Sequence, residues 1–307
     1  MQKKTGQDLI PLPFTPVVIL GAGRSGTNAL RDMLTVLPNF STWPCDEINP
    51  IWRHGNALWP HDELGAKLAT QKVARFVRNA FLRQWKRSKK PKYIVEKTCA
   101  NTLRVGFVHQ ILPEARFIHI VRNGTDVVPS AKRRWSGELE IKSMPYFLKK
   151  ARFIPFTDIP YFGYRFIQNR LSILLGKEKR LSTWGPRFDG IESYIGANLS
   201  DICATQWAAC VNKCDAGLDA IDAEQTLRIQ YEELTYDPEA VLLLILQFLD
   251  PAKGAAEHDA TLLQQAASTI RLASDRKKNR SSLDLTAATK DLMTPVLERY
   301  GYPQDMV

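Results

Sequence analysis

Apolar positions along the chain alternate between two rhythms. Pro16 to Leu20 (PVVIL) is a short continuous apolar run, the pattern of a strand buried on both faces. It breaks into Gly21-Ala22-Gly23-Arg24-Ser25-Gly26-Thr27, after which Ala29, Leu30, Met33, Leu34 and Leu37 recur at helical spacing. LPNFSTWPCDEINPIWRHGN reads as an irregular loop, too poor in strand formers to make a second strand. From His61 to Lys90 the pattern is helical and closes on the basic run RQWKRSKK, which suits a solvated helix end. A short strand is expected from Lys92 to Val95, then a helix marked by Leu103, Phe107, Val108 and Ile111 and closed by Pro113.

The same alternation repeats downstream. Ala115 to Val121 (ARFIHIV) is a second buried strand running into RNGTD, with a helix from about Thr125 that tolerates Pro129 near its start. Residues 135–198 break the rhythm, interleaving aromatics and bases such as Tyr146, Phe147, Lys149 and Arg152 and closing on WGPRF. They read as an insertion over the ligand edge of the sheet, or equally as a plain helical subdomain with its own small core. A helix over 199–222, a strand from Thr226 to Gln230 and an apolar helix from Pro238 to Leu249 restore the order. The pattern predicts an α/β fold, a central parallel sheet flanked by helices with right-handed crossovers, in one domain spanning 1–307.

Composition narrows the function. The formal charge of +10 fits an anionic ligand, while no RNA-binding signature or zinc-finger spacing argues for nucleic acid. Cys203, Cys210 and Cys214 share one helical face with Ile202, Trp207 and Val211 and read as core, and an odd, scattered set of five cysteines makes no disulfide framework. No HExxH, CxxC pair or DxDxDG sequence offers a metal site. The N-terminus has no signal-peptide core and no later segment suits a membrane span, so a cytoplasmic location is expected.

The glycine-rich turn between strand and helix is an anion site, because converging backbone N–H groups meet the positive end of a helix. Three loops compete for it. A Walker A loop needs a lysine where Thr27 stands. A dinucleotide fingerprint matches Gly21, Gly23 and Gly26, with Asp46 or Glu47 about 20 residues on, but it also wants a second strand before that acid. The third candidate rests on family resemblance: GAGRSGTNALRDML resembles the 5′-phosphosulfate-binding segment of PAPS-dependent (3′-phosphoadenosine-5′-phosphosulfate-dependent) sulfotransferases. In that segment Arg24 would replace the Walker lysine, and Ser25, Thr27 and Asn28 would bind the 5′-phosphate beside Gly23 and Gly26.

A second motif supports this third choice. In IHIVRNGTDVVPS, Arg122 ends a strand and Ser130 follows eight residues later in a helix, so guanidinium and hydroxyl can converge on one phosphate. The segment resembles the 3′-phosphate-binding segment of the same family. The resemblance extends over residues 16–134 and 199–303 and is nearest to bacterial, tyrosylprotein and carbohydrate sulfotransferases. It implies a P-loop-like three-layer fold, PAPS as donor, adenosine 3′,5′-bisphosphate (PAP) as product, and no metal. It also puts Lys97 near the transferring sulfuryl group, Tyr231 near the adenosine, and the basic tail at 276–280 over the 3′-phosphate, with Lys277 and Lys278 as candidates beside Arg276 and Arg280.

An acceptor hydroxyl also needs a base. By the same resemblance Glu47 takes the place of the glutamate of the tyrosylprotein branch, with Asp46 and His54 as alternatives; no histidine stands near Asn101, where cytosolic members carry theirs. Glu47, Lys97 and Arg24 are then the catalytic group. The acceptor is a saccharide, a lipid or natural-product hydroxyl, or a peptide tyrosine, with a lean toward an anionic glycan or glycolipid; a homodimer is compatible with the sequence. The rivals are a P-loop kinase or NTPase, a nicotinamide-dependent oxidoreductase and a non-catalytic binding module.

Overall fold

In strand β1 (Thr15–Leu20), Val17 and Ile19 point to one side and Val18 and Leu20 to the other, and all four are wholly buried. That two-sided burial makes β1 the centre of a sheet covered by helices on both faces. The computed structural model of the chain describes residues 9–136, 158, 184–194, 196–254, 257–272 and 283–304. Five strands pair in parallel: β1, β2 (Phe40–Thr42), β3 (Tyr93–Lys97), β4 (Arg116–Val121) and β5 (Thr226–Gln230), in the order β2-β3-β1-β4-β5.

The expected α/β architecture is therefore present, with corrections to individual elements. The stretch read as strandless contains β2, whose three residues pair, among the described residues, with β3 alone. A three-residue edge strand with one fully inward residue, Phe40, leaves almost no alternation for a sequence pattern to reveal. Its position matters for function, because β3 rather than β2 lies beside β1. A dinucleotide-binding sheet runs 3-2-1-4-5, so the topology departs from that rival at this point.

One face of the sheet packs Val18, Leu20, Ile94 and Phe117 against α2 (Asn49–Trp52), α3 (Gln71–Arg87) and α4 (Val105–Ile111). The expected helix over 61–90 begins only at Gln71, where the Thr70 side chain accepts from the Val73 N–H and caps it. A 3-10 turn over Cys99–Leu103 precedes α4. The other face packs Val17, Ile19, Val95, Ile118 and Ile120 against α1 (Thr27–Thr35). A third cluster joins α5 (Gly124–Trp135) to α6 (Leu199–Leu218) through Val128, Trp207 and Val211. The chain continues through α7 (Tyr231–Tyr236), α8 (Pro238–Leu249), α9 (Ala260–Ala267) and α10 (Ala287–Arg299). All five cysteines are free and buried, with Cys203, Cys210 and Cys214 inside the α6 packing.

The insertion over 135–198 falls mostly outside the described residues; of it, 135–136, 158, 184–194 and 196–198 are described. Among the described residues no helix is long and apolar enough to cross a membrane.

Candidate functional site

The C-terminal ends of β1, β3 and β4 are neighbours in the sheet, so the three segments that follow them meet at one edge. From β1 comes the turn Gly21–Gly26. Gly26 has φ 88°, and a Cβ there would lie 2.2 Å from the Tyr231 ring, so both the backbone and the close approach of the tyrosine require glycine. Arg24 adopts φ 76°, a left-handed conformation uncommon for a side-chain-bearing residue. No side chain caps α1 and no acid stands in its first turn, which leaves its N-terminus open to an anion.

The β4 end supplies the second segment. Arg122 donates through an Nη to the Arg24 carbonyl at 3.1 Å, and its guanidinium lies 4.6 Å from the Tyr231 ring centroid. Its own carbonyl accepts from Trp207 Nε1 at 3.1 Å, fixing the backbone. Asn123 caps α5, and Ser130 is buried on that helix. Arg24 Nε donates to Ser130 Oγ at 3.0 Å across 106 residues. Burial, and then the guanidinium charges of Arg122, Arg134 and Arg133, pull the pKa of Arg24 down. Positive charge thus converges on this point.

Two polar atoms at the junction are buried and, among the described residues, hold no hydrogen bond: Ser25 Oγ and Arg122 Nε. A buried donor without a partner is costly, and a phosphate oxygen would satisfy either one. The donor set is cationic and hydroxyl in character, which fits a phosphorylated ligand. Among the described residues there is no group of His, Cys, Asp or Glu able to hold a metal ion.

The β3 end brings the third segment. Lys97 Nζ lies 3.2 Å from Glu47 Oε1, and the Cys99 N–H donates to the same oxygen at 3.3 Å. Burial, the largest single influence, pulls the Lys97 ammonium down, but the Glu47 carboxylate and Cys99 together leave its pKa raised. Burial, with Glu47 adding to it, pushes the Cys99 thiol well up, so this cysteine stays protonated.

The base candidates separate in space. Asp46 is turned to Arg31 on α1, 3.6 Å away. Glu47 faces Lys97. His54 Nδ1 lies 2.9 Å from Asp158 Oδ2, and its ring is 3.8 Å from that of Phe76. Asn101 is wholly buried, bonded to Glu96 and Arg104. Of the remaining residues, Thr27 is buried, 3.9 Å from Cys99 Sγ, and Asn28 is exposed in the first turn of α1. Lys277 and Lys278 lie outside the described residues.

Sequence reasoning missed three features. Arg133 and Arg134 follow Ser130 by three and four residues, the spacing that puts them on the same helix face, and that spacing was the available signal. Glu96 is fully buried; Thr98 Oγ1 and Asn101 Nδ2 donate to it, and Thr98 Oγ1 also accepts from the Ile48 N–H at 3.2 Å. Arg104 continues this network to Asn49 Oδ1 at 2.6 Å, so the β3 end grips the segment that carries Glu47. The third is Trp184, at the end of the insertion, which stands against Gly23.

Residues 16–152 match the model of the Sulfotransferase family. No curated protein matches the chain. Among solved structures, the sulfotransferase domain from the curacin biosynthetic pathway aligns over 96% of this chain and 99% of its own, with 14% identity and a TM-score of 0.53. The sulfotransferase domain of the Synechococcus PCC 7002 olefin synthase aligns over 95% and 98%, with 16% identity and a TM-score of 0.52. Sulfotransferase STF1 from Mycobacterium tuberculosis H37Rv aligns over 92% and 77%, with 13% identity and a TM-score of 0.50. At such identities the structures share a fold, while the matched segment spans β1 to α5 and with them the site's three strand ends. Over residues 16–152, less than half of its length, the chain is thus similar to the sulfotransferase family, and it shares the fold of these solved sulfotransferases.

Proposed function

We propose that the chain transfers a sulfuryl group from PAPS to an acceptor hydroxyl, leaving PAP. The observation that carries this reading is the junction of the two phosphate motifs, where Arg24 bonds Ser130 and Arg122 bonds the Arg24 carbonyl. Gly23, Ser25, Gly26, Thr27 and Asn28 would hold the 5′-phosphate end, Arg122 and Ser130 the 3′-phosphate, and Tyr231 the nucleoside side. Lys277 and Lys278 would close over the 3′-phosphate.

The donor supplies an activated sulfuryl group, and the protein's work is positioning and charge stabilisation. Lys97 holds positive charge where oxygen charge develops, and Arg24 supports it from the loop. Glu47 is the carboxylate that takes the acceptor proton; the alternatives are turned elsewhere, Asp46 to Arg31 and His54 to Asp158. No step requires a metal. The chain acts as one domain, with 135–198 as an acceptor-side insertion, in the cytoplasm. The acceptor is a small molecule, glycan or glycolipid hydroxyl, or a peptide tyrosine.

Incubation with 35S-labelled PAPS and separate saccharide, lipid-hydroxyl and tyrosyl-peptide acceptors tests this. Label on one acceptor class with stoichiometric PAP is expected. A folded protein that neither binds PAP nor labels any acceptor would overturn the assignment.

A further inference from the structure

The indole of Trp184 stands over the phosphate loop. A Cβ built on Gly23 would meet Trp184 Cη2 at 2.9 Å, Cζ3 at 3.5 Å and Cζ2 at 3.6 Å, so the benzo edge of the ring lies on the residue just before Arg24. Trp184 is partly exposed, whereas Trp43, Trp52, Trp135 and Trp207 are buried. Its backbone is fastened from below. Gln206 Nε2, on α6, donates to the Trp184 carbonyl at 3.0 Å and to the Pro186 carbonyl at 2.9 Å. Gly185 between them has φ 82°, and a Cβ there would strike the Gln206 amide at 2.8 Å. The chain downstream is tied by Arg187, whose N–H donates to Asp62 Oδ2 at 2.9 Å and whose carbonyl accepts from the Asp62 N–H at 2.7 Å.

The ring packs in part against the third core cluster, yet it stays partly exposed and lies on the glycine turn. The loop it covers follows β1, between the β3 end, where Lys97 meets Glu47, and the β4 end with Arg122, and its Arg24 bonds Ser130 on α5. We infer that Trp184 is a specificity-determining residue that shields the transfer site from water, so that the sulfuryl group passes to the acceptor rather than to solvent. This rests on the sulfotransferase reading above. The reaction suppressed is hydrolysis: the bond from sulfur to the bridging oxygen breaks, a water oxygen bonds to sulfur, and the water's proton passes to Glu47 or solvent. The products are PAP and inorganic sulfate. An apolar aromatic wall prevents such side reactions of an activated group by excluding the competing nucleophile.

The test needs no knowledge of the acceptor. Sulfate release from 35S-labelled PAPS is measured without acceptor, beside the PAP dissociation constant, for wild type, Trp184→Ala, Trp184→Phe and Gln206→Leu. Release is expected to rise about tenfold in Trp184→Ala, equivalent to about 1.4 kcal/mol of lost discrimination, with PAP affinity within about threefold of wild type. Trp184→Phe should stay near wild type. Gln206→Leu, which leaves the ring intact and frees its backbone, should fall between and keeps the test alive if Trp184→Ala does not fold. Unchanged release from Trp184→Ala or Gln206→Leu that still binds PAP would overturn the water-shielding role alone. Failure of the wild type to bind PAP would overturn it together with the sulfotransferase reading.

Discussion

Arg24 Nε donates to Ser130 Oγ at 3.0 Å, joining the turn after β1 to the helix after β4 across 106 residues. The two segments proposed to bind phosphate thus share a hydrogen bond, and Arg24 would stand between the two ends of a bound bisphosphate. Arg122→Ala and Arg24→Ala are each expected to weaken PAP binding about 10- to 100-fold, the worth of a hydrogen bond to a charged group. Ser130→Ala should cost less. Isothermal titration with PAP measures all three, and wild-type affinity in both arginine variants would remove the site.

The Lys97–Glu47 pair has a cost when broken. Lys97 is 5% exposed, so Glu47→Ala leaves an ammonium buried without its carboxylate. A fully buried pair loses about 3–5 kcal/mol on such a change; the Glu47 side chain is 28% exposed, so about 1–3 kcal/mol is expected. Turnover should fall by about 10²–10⁴ as a lost general base implies, with PAP affinity retained. Denaturant melts beside steady-state rates check both halves. Full turnover in Glu47→Ala would return Asp46 and His54 to consideration.

Gly26→Ala should damage both stability and binding. The left-handed backbone alone costs about 1–3 kcal/mol in a non-glycine residue, and the new methyl group would sit 2.2 Å from Tyr231. Tyr231→Ala removes a buried core ring and so destabilises by itself, but in that background Gly26→Ala should cost less than in the wild type, because only the backbone strain is left. Chemical denaturation of the two single variants and the double variant tests this, and additive losses would mean that the overlap contributes nothing.

Glu96 gives the fold a pH signature. Burial raises its pKa from 4.5 to about 7, against the opposing pull of Thr98, Arg104 and Lys97. The folded protein therefore keeps a proton that the unfolded chain loses near 4.5. Stability from this residue is greatest below that pH, declines as pH rises toward 7, and is level above. Glu96→Gln should remove that decline. Unfolding free energies of the two proteins across this window decide it, and parallel profiles would place the Glu96 carboxyl in the ordinary range.

Much of this was legible in the residues. The two buried strands β1 and β4, the glycine turn between β1 and α1, and the arginine and serine after β4 all carry local signals of periodicity and spacing. The pattern ends the short β-prone stretch at Val95, whereas β3 continues through Glu96 and Lys97, both charged and both buried. Their partners, Asn101 and Glu47, are brought by turns that a strand pattern does not encode. β2 escaped for want of length. Trp184 was legible only as part of WGPRF, because what gives it meaning is Gly23, 161 positions earlier in the chain.

Thermal or chemical stabilisation by PAP, set beside NAD, ATP–Mg and AMP, tests the central claim most directly. With every ligand at one common concentration, about a hundredfold above the PAP dissociation constant, a ligand binding only the folded state as tightly as PAP adds about 2.7 kcal/mol. The account predicts that gain for PAP, little for AMP, and none for NAD or ATP–Mg. Stabilisation by NAD or ATP–Mg without stabilisation by PAP would contradict it.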